Sequence, residues 1–357
     1  MKITGYQTQV VSIPRDEGSL LAGPASFVTI RLQTDAGIEG IGYSGFVSGV
    51  MLKSLKAAVD GLLDLSVGSD PLANEALQTR LLTLAGGGAP AGLATTAVAG
   101  IDVACWDVKG KAAGMPVWKL LGGSRDRVAT YASGHLWRNY DLKALADTAP
   151  KLVAQGFKAM KFRLGAEKTA TAELERVRVM REAVGPDITL MIDINQGWSV
   201  DQAVTIGRHL AHYDIFWLED PVHHQDFDGL ARIARDLDTP ICAGEYHFGV
   251  APFRQAVEQR SVDIVMCDLM RAGGITGWMK VAHLAEAFNL PIVTHLATEV
   301  LVHALAAVPN GLIAEYMPWT LPMFKETPRL ENGELVLPTS PGLGLEFDEA
   351  LLAKYAA

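Results

Sequence analysis

The chain lacks most features that mark secreted, membrane-spanning or nucleic-acid-binding proteins. It has three cysteines in 357 residues, Cys105, Cys242 and Cys267. None stands in a CxxC or zinc-type spacing, so they read as buried thiols in a reducing compartment rather than a disulfide frame. No segment reaches the roughly 18 uninterrupted apolar residues of a membrane span. No basic stretch followed by a long apolar run opens the chain, so no signal peptide is expected. These absences together predict a cytoplasmic protein. Positive charge is outnumbered, 31 Lys and Arg against 40 Asp and Glu, for a net −9. That balance argues against nucleic acid or an anionic membrane as the main partner. A Gly-rich phosphate loop after a first strand is also missing, which disfavours a doubly wound nucleotide-binding sheet.

What is present reads as two rhythms. The first part is a mixed, antiparallel module. The runs KITGYQTQVV and FVTIRLQTDAGIEGIGYSGF are strand-like, with Asp35-Ala36-Gly37 as a hairpin turn. Helical patterns follow over about 49–65, 71–84 and 92–113, and Asp70-Pro71 predicts an N-cap and first helical residue for the second. From about Val128 short apolar runs alternate with amphipathic segments such as 169–183 and 274–288. Eight runs qualify: ATYASGH, AMKFRL, ITLMIDIN, IFWLED, PICAGE, DIVMCD, PIVTHL and LIAEY. Near-continuous apolar strands separated by helices mean a parallel sheet covered on both faces. The expected fold class is α/β, a modified (β/α)8 barrel of the TIM type with an N-terminal α+β capping domain, its last helix reduced or replaced. The boundaries fall at 1–125 for the cap, 126–320 for the barrel and 321–357 for a C-terminal segment.

The ends of these runs carry the chemistry. Ionisable residues stand at Asp193, Glu219, Glu245, Asp268, His295 and Glu315, each separated from the next by about one βα unit. A single acid after a strand is ordinarily a helix cap or a solvated turn residue. Six with the strand period would share the C-terminal rim of a barrel, where active sites of this fold lie. Asp220, beside Glu219, reads as a turn residue. Asp193, Glu219 and Glu245 would repel one another unless a cation sits between them. Oxygen-only ligands suit Mg²⁺ or Mn²⁺, and no cysteine or paired histidine points to zinc. Asp268 and His295 on the next two strands form a carboxylate–imidazole pair in which His295 is the general base. In GFKAMKFRLG, period-two alternation puts Lys161 and Arg163 on the inner face and Lys158 on the outer one. Such a set suits abstraction of a proton next to a carboxylate. The metal would stabilise the developing charge, and a cation or a protonated acid such as Glu315 would share it.

These elements resemble the enolase superfamily, mandelate racemase subgroup, over essentially the whole chain. Lys161-Phe162-Arg163 is similar to the K-x-K/R motif. Asp193-Ile194-Asn195, Glu219-Asp220-Pro221 and Gly244-Glu245 resemble the metal triad. Asp268-Leu269-Met270-Arg271 with Thr294-His295 resembles the dyad, and Glu315 and the block Gly100–Gly123 also match. The resemblance implies Mg²⁺ dependence, capping loops that close over the barrel, a C-terminal segment returning to the cap, and assembly as dimers or octamers. It implies a small-molecule carboxylate substrate bound by Lys161, with Ser133, Asn195 and Glu315 as further contacts. His247, two residues past Glu245 and on the same side if the segment stays extended, would meet a substrate hydroxyl; either Ser133 or His247 reads equally well as an ordinary polar loop residue. His223 and His224 are read as solvated. Where the racemase has a second lysine this chain has Arg163, which stays protonated and is a poor base. One base, His295, then favours dehydration of an aldonate or aldarate over racemisation or epimerisation of a 2-hydroxy acid. A non-catalytic sugar-acid binding protein is the remaining alternative. In the capping loop 15–27, Arg15, Asp16 and Glu17 suit a hydroxylated acid, or else face water while Leu20 and Leu21 cover the site.

Overall fold

A computed structural model describes residues 1–15 and 23–357. The chain begins with three antiparallel strands in sequential order, β1 (Ile3–Ile13), β2 (Ala25–Thr34) and β3 (Glu39–Gly45). Gly37 turns β2 into β3 with φ 70°. Helices α1 (Leu52–Ser66), α2 (Asn74–Leu84) and α3 (Gly92–Ala113) pack on one face of this sheet, and a one-turn α4 (Val117–Leu120) leads away. Asp70 does not cap α2. Its carboxylate accepts the Leu72 amide at 3.0 Å in a turn before the helix, which starts three residues later than the sequence suggests.

The close approach of α3 to β3 depends on missing side chains. A Cβ on Gly42 would lie 2.4 Å from the Gly100 carbonyl oxygen, and one on Gly100 would lie 2.3 Å from Ser44 Oγ. Glycine at both positions lets the helix backbone rest on the sheet.

All eight expected barrel strands form: β4 (Arg127–Ala132), β5 (Ala159–Arg163), β6 (Thr189–Asp193), β7 (Ile215–Glu219), β8 (Ile241–Ala243), β9 (Ile264–Asp268), β10 (Ile292–His295) and β11 (Ala314–Tyr316). Between them lie α5 (Leu142–Ala154), α6 (Ala170–Val184), α7 (Val200–Leu210), α8 (Phe227–Asp236) and α9 (Ala251–Glu258). The short α10 (Leu269–Ala272) and α11 (Ile275–Ala287) follow β9, and α12 (Thr298–Ala307) follows β10. Neighbouring strands pair in parallel from β4 to β10, and β11 pairs with β4. A bridge between Ile292 and Gly311 completes the ring.

No helix of comparable length follows β11. A hairpin of β12 (Arg329–Glu331) and β13 (Glu334–Val336) takes that place, and β13 adds to β4 antiparallel. The chain ends in α13 (Glu349–Lys354) against the cap, where Ser12 N–H donates to the Tyr355 carbonyl at 2.9 Å. Cys105, Cys242 and Cys267 are free and buried. Among the described residues no helix is long and apolar enough to cross a membrane.

Two polar contacts tie cap, barrel and C-terminal segment together. Tyr43 Oη on β3 donates to Glu299 Oε1 on α12 at 2.6 Å, and Thr320 Oγ1 donates to Glu299 Oε2 at 2.7 Å. His303, also on α12, accepts the Trp118 amide at Nδ1 (3.2 Å) and donates from Nε2 to the Leu343 carbonyl (3.0 Å). Those bonds require the neutral ring, and burial pushes the His303 pKa down to about 4. The folded state therefore binds this proton less well than the unfolded state. The His303 contribution is complete above the unfolded value near 6.5 and disappears as pH falls toward 4, a swing on the order of 3 kcal/mol. Urea unfolding at pH 7 and pH 4 should show His303→Gln less stable than wild type at pH 7, with the gap shrinking in acid. A gap independent of pH would refute this assignment.

Candidate active site

Strand alternation builds the site in two layers. Tyr131, Ala159, Met191, Trp217, Met266 and Val293 belong to one apolar cluster that fills the barrel interior. Two residues further along each of these strands come Ser133, Lys161, Asp193, Glu219, Asp268 and His295. The same inward face thus changes from apolar to charged at the C-terminal rim. Register sets the neighbours. Arg163 pairs with Asp193 and Asp193 with Glu219, so the three share one row, while His295 pairs with Asp268 in another.

β8 breaks the period. Its inward residue is Cys242, but the next acid is Glu245, three positions on. The extra residue is accommodated at Gly244, whose φ is 130°. A Cβ there would meet the Met266 carbonyl oxygen at 2.5 Å, so only glycine fits the kink that turns Glu245 toward the cavity.

Lys161 is at the centre, 1% exposed. Its ammonium lies 2.5 Å from Glu219, 3.1 Å from Glu315 and 3.7 Å from Asp193. Burial opposes its charge, but these carboxylates outweigh burial and hold its pKa well above the ordinary value. Arg163 is locked. Its Nη1 donates to the Ser133 and His135 carbonyls at 2.8 and 3.0 Å, and its Nη2 donates to Ser133 Oγ at 3.0 Å. Its guanidinium lies 3.9 Å from the centre of the Trp137 ring. Lys158, on the outer face, is exposed.

Asp268 and His295 meet directly, with Nδ1–H donating to Asp268 Oδ2 at 2.7 Å. The Arg271 amide donates to the other Asp268 oxygen at 2.8 Å, which fixes the carboxylate. His295 Nε2 faces the cavity rim and lies 3.1 Å from Glu245. Burial lowers the imidazole pKa, but Glu245 and the Asp268 bond overcome it and raise the value to about 9.

Several expectations need correction. Glu315 is not a protonated acid: Ser133 Oγ donates to one oxygen at 2.6 Å and the Leu296 amide to the other at 2.6 Å. Burial pushes Glu315 up, but Lys161, His295 and these donors bring it down to about 2. Ser133 is fully buried between Arg163 and Glu315 and does not line the cavity. His247 does not line it either. Its amide turns back to the Gly244 carbonyl at 3.0 Å, so the segment is not extended, and the ring packs between Phe227 and Phe253. His224 is not simply solvated, because its Nδ1 lies 2.8 Å from Gln196 Oε1. Asp220 has the turn conformation expected (φ 38°) but is fully buried. Asn195 does line the cavity, and its amides hold both oxygens of Asp193 at 2.8 and 2.9 Å. Asp16, Glu17, Leu20 and Leu21 lie outside the described residues.

The cavity above these groups has a volume of about 720 Å³. Sequence reasoning missed much of its wall: Trp137 and Arg138 after β4, Tyr246 after Glu245, Phe46 from the cap and Trp319 after β11. Trp137 and Trp319 stack with centroids 6.0 Å apart and planes 8° apart, and Arg15 lies over Trp319 at 4.6 Å. The adjacent Trp and Arg in HLWRN, just past a strand end, were the available signal.

Whether the residues suit a divalent cation is decided by their chemistry. As placed, no group of three His, Cys, Asp or Glu side chains among the described residues is arranged to hold a metal ion. Yet Asp193, Glu219, Asp220, Glu245 and Glu315 are all buried together, with Lys161 the nearest balancing cation. Both Asp220 oxygens are buried without a hydrogen-bond partner. Burial, then the neighbouring acids, push Asp220 well above the usual carboxylate range, and Glu219 likewise, despite Lys161. A cluster this rich in anionic oxygen fits a further hard cation.

Comparisons with known proteins agree with the geometry. Residues 144–351 match the family model for the enolase C-terminal domain-like fold, and residues 14–122 match the mandelate racemase / muconate lactonizing enzyme N-terminal domain. The chain is 33% identical over 273 residues to arabinonate dehydratase of Saccharolobus solfataricus, covering 74% of this chain and 73% of that protein. It is 30% identical over 345 residues to L-talarate/galactarate dehydratase of Salmonella typhimurium, covering 95% and 86%. The crystal structure of L-talarate dehydratase from Polaromonas sp. JS666, complexed with Mg and L-glucarate, matches with a TM-score of 0.93. It has 29% identity and covers 100% of this chain and 97% of that one.

Replacing Lys161 by methionine leaves Glu219 and Glu315 buried without their cation. At neutral pH and without divalent ions, urea unfolding is expected to show a loss of about 3–5 kcal/mol. An unchanged midpoint would show that the ammonium does not hold this cluster together.

Proposed function

Because the chain belongs to the mandelate racemase / muconate lactonizing enzyme family of the enolase superfamily, we propose that it is a Mg²⁺-dependent dehydratase of an acid sugar, an aldonate or aldarate. The observation that carries this reading is the pairing of one competent base, His295 held by Asp268 at 2.7 Å, with a second base position occupied by a locked arginine.

Asp193, Glu219 and Glu245 would hold the ion, with Asn195 orienting Asp193. When bound, Mg²⁺ supplies Lewis-acid stabilisation of the charge that grows on the substrate carboxylate as the α-proton leaves. Lys161, whose charge is secured by its acidic neighbours, faces the same carboxylate from β5. His295 Nε2 accepts the α-proton while Asp268 steadies the imidazolium. The same imidazolium then returns the proton to the departing β-hydroxyl, which leaves as water. The resulting enol gains a proton at the β-carbon, loses the one on its 2-hydroxyl, and becomes a 2-keto-3-deoxy acid. Against the effect of burial, Glu245 and Asp268 together raise the His295 imidazole to about 9, and a cation held by Glu245 would offset the largest of the contributions that raise it. Arg163 adds fixed positive charge and takes no proton. Glu315 holds Lys161 in place.

A racemase needs bases on both faces of the α-carbon, and Arg163 supplies none. A purely binding role leaves the His295–Asp268 pair without a task. Incubation with a panel of aldonates and aldarates in Mg²⁺ should yield a semicarbazide-reactive 2-keto product. EDTA should abolish its formation, and Mg²⁺ should restore it. His295→Asn is expected to lower turnover by at least about 10²-fold. Epimerisation at C2 without dehydration of any panel member would overturn the dehydratase reading. In ²H₂O, unreacted substrate should exchange its α-proton from one configuration only. Exchange from both would restore the racemase alternative.

A further inference from the structure

Resting on the acid-sugar reading of this site, the geometry points to a substrate with a second carboxylate at the end remote from the reacting carbon, recognised by Arg138 and Arg15.

The cavity is asymmetric in charge. Its carboxylates, Asp193, Glu245 and Glu315, stand at the barrel rim, where Lys161 and His295 contact them. Arg163 is occupied by Ser133 and His135, and Arg271 donates to the Glu245 carbonyl and lies over Tyr246 at 5.1 Å. Arg138 differs. Its Nη2 reaches only neutral acceptors, the Ile194 carbonyl and Asn195 Oδ1, and its Nε is buried with no hydrogen-bond partner. No carboxylate lies within ion-pair distance of it among the described residues. Arg15 comes from the cap, and its guanidinium rests on Trp319, which stacks in turn on Trp137 beside Arg138 in the chain. Burial lowers its pKa, so its charge is partly desolvated.

Two guanidinium groups in the lining of one cavity suit an anion better than a hydroxyl. A planar carboxylate accepts the arginine fork in two parallel bonds, and such charge-assisted bonds are about twice as strong as neutral ones. An aldarate presents that group where an aldonate presents a primary alcohol. The cavity therefore holds one carboxylate at Lys161 and the other at Arg138 and Arg15, between the first βα loop and the cap.

Calorimetry on the Mg²⁺-loaded His295→Asn protein tests this without turnover, using aldarate and aldonate pairs of equal length and configuration, galactarate with galactonate among them. At least one diacid is expected to bind about tenfold or more tighter than its monoacid. Arg138→Gln and Arg15→Gln, each added to that background, should remove the preference while leaving monoacid affinity within about twofold. Equal or weaker binding of every diacid, or no diacid binding at all, overturns the inference. Equal losses for both acids in both variants also overturn it, since they mark Arg138 and Arg15 as structural supports. Diacid preference without any 2-keto product from wild type would sustain the inference and reject dehydration.

Discussion

The register of three parallel strands is the constraint on which the site depends. β5, β6 and β7 pair so that Arg163, Asp193 and Glu219 lie side by side, with Lys161 one inward position below Arg163. Burying any one of these charges alone would cost several kcal/mol. Buried together, each becomes part of the others' environment. A slip of one residue on β6 would turn Asp193 to the helix side and leave Lys161 with fewer counter-charges, so the charges and the hydrogen-bond ladder specify each other. The apolar interior layer beneath excludes water from the floor, which strengthens every interaction above it.

The cap is more than a cover. Its third strand reaches α12 through Tyr43 and Glu299, and α12 begins just past His295. The helix bearing that contact also carries His303, which holds α4 and the C-terminal segment. The position of His295 is thereby tied to the cap through one helix, while the cap's own Arg15 and Phe46 line the cavity. The aromatic stack of Trp137 and Trp319 joins the first βα loop to the segment after the last barrel strand, so the wall is built from distant parts of the chain.

The barrel was readable because its strands are short apolar runs with helices of the right length between them. Lys161, Asp193, Glu219, Asp268 and His295 were readable because each sits two residues beyond an apolar inward position. Glu245 was found from its place at a strand end, although it is out of phase, and the glycine before it explains why. Reading failed where backbone direction could not be inferred from spacing. His247 was placed by extending β8 past Gly244, but the chain turns there and sends the ring among phenylalanines. Asp70 carries the sequence of a helix cap, yet its carboxylate closes a turn first. Glu315 reads from the sequence as a protonated acid able to share the substrate's charge, but three donors keep it ionised. Arg138, Tyr246 and Trp319 lie in loops, whose side chains are aimed by tertiary contacts rather than by period.

β4 has a further consequence, one of timing. It is the first barrel strand made, yet two of its three partners, β11 and β13, lie near the other end of the chain. Thr130 must wait for Ala314, 184 residues later, before its hydroxyl finds an acceptor. At roughly 5–20 residues per second, synthesis leaves that strand edge open for about 10–40 s. During that interval the half-made barrel presents a β edge that any passing strand can pair with. The cap, finished earlier, can shield its own sheet but not this one, so a nascent chain is most vulnerable to misassembly between the emergence of β4 and that of β13.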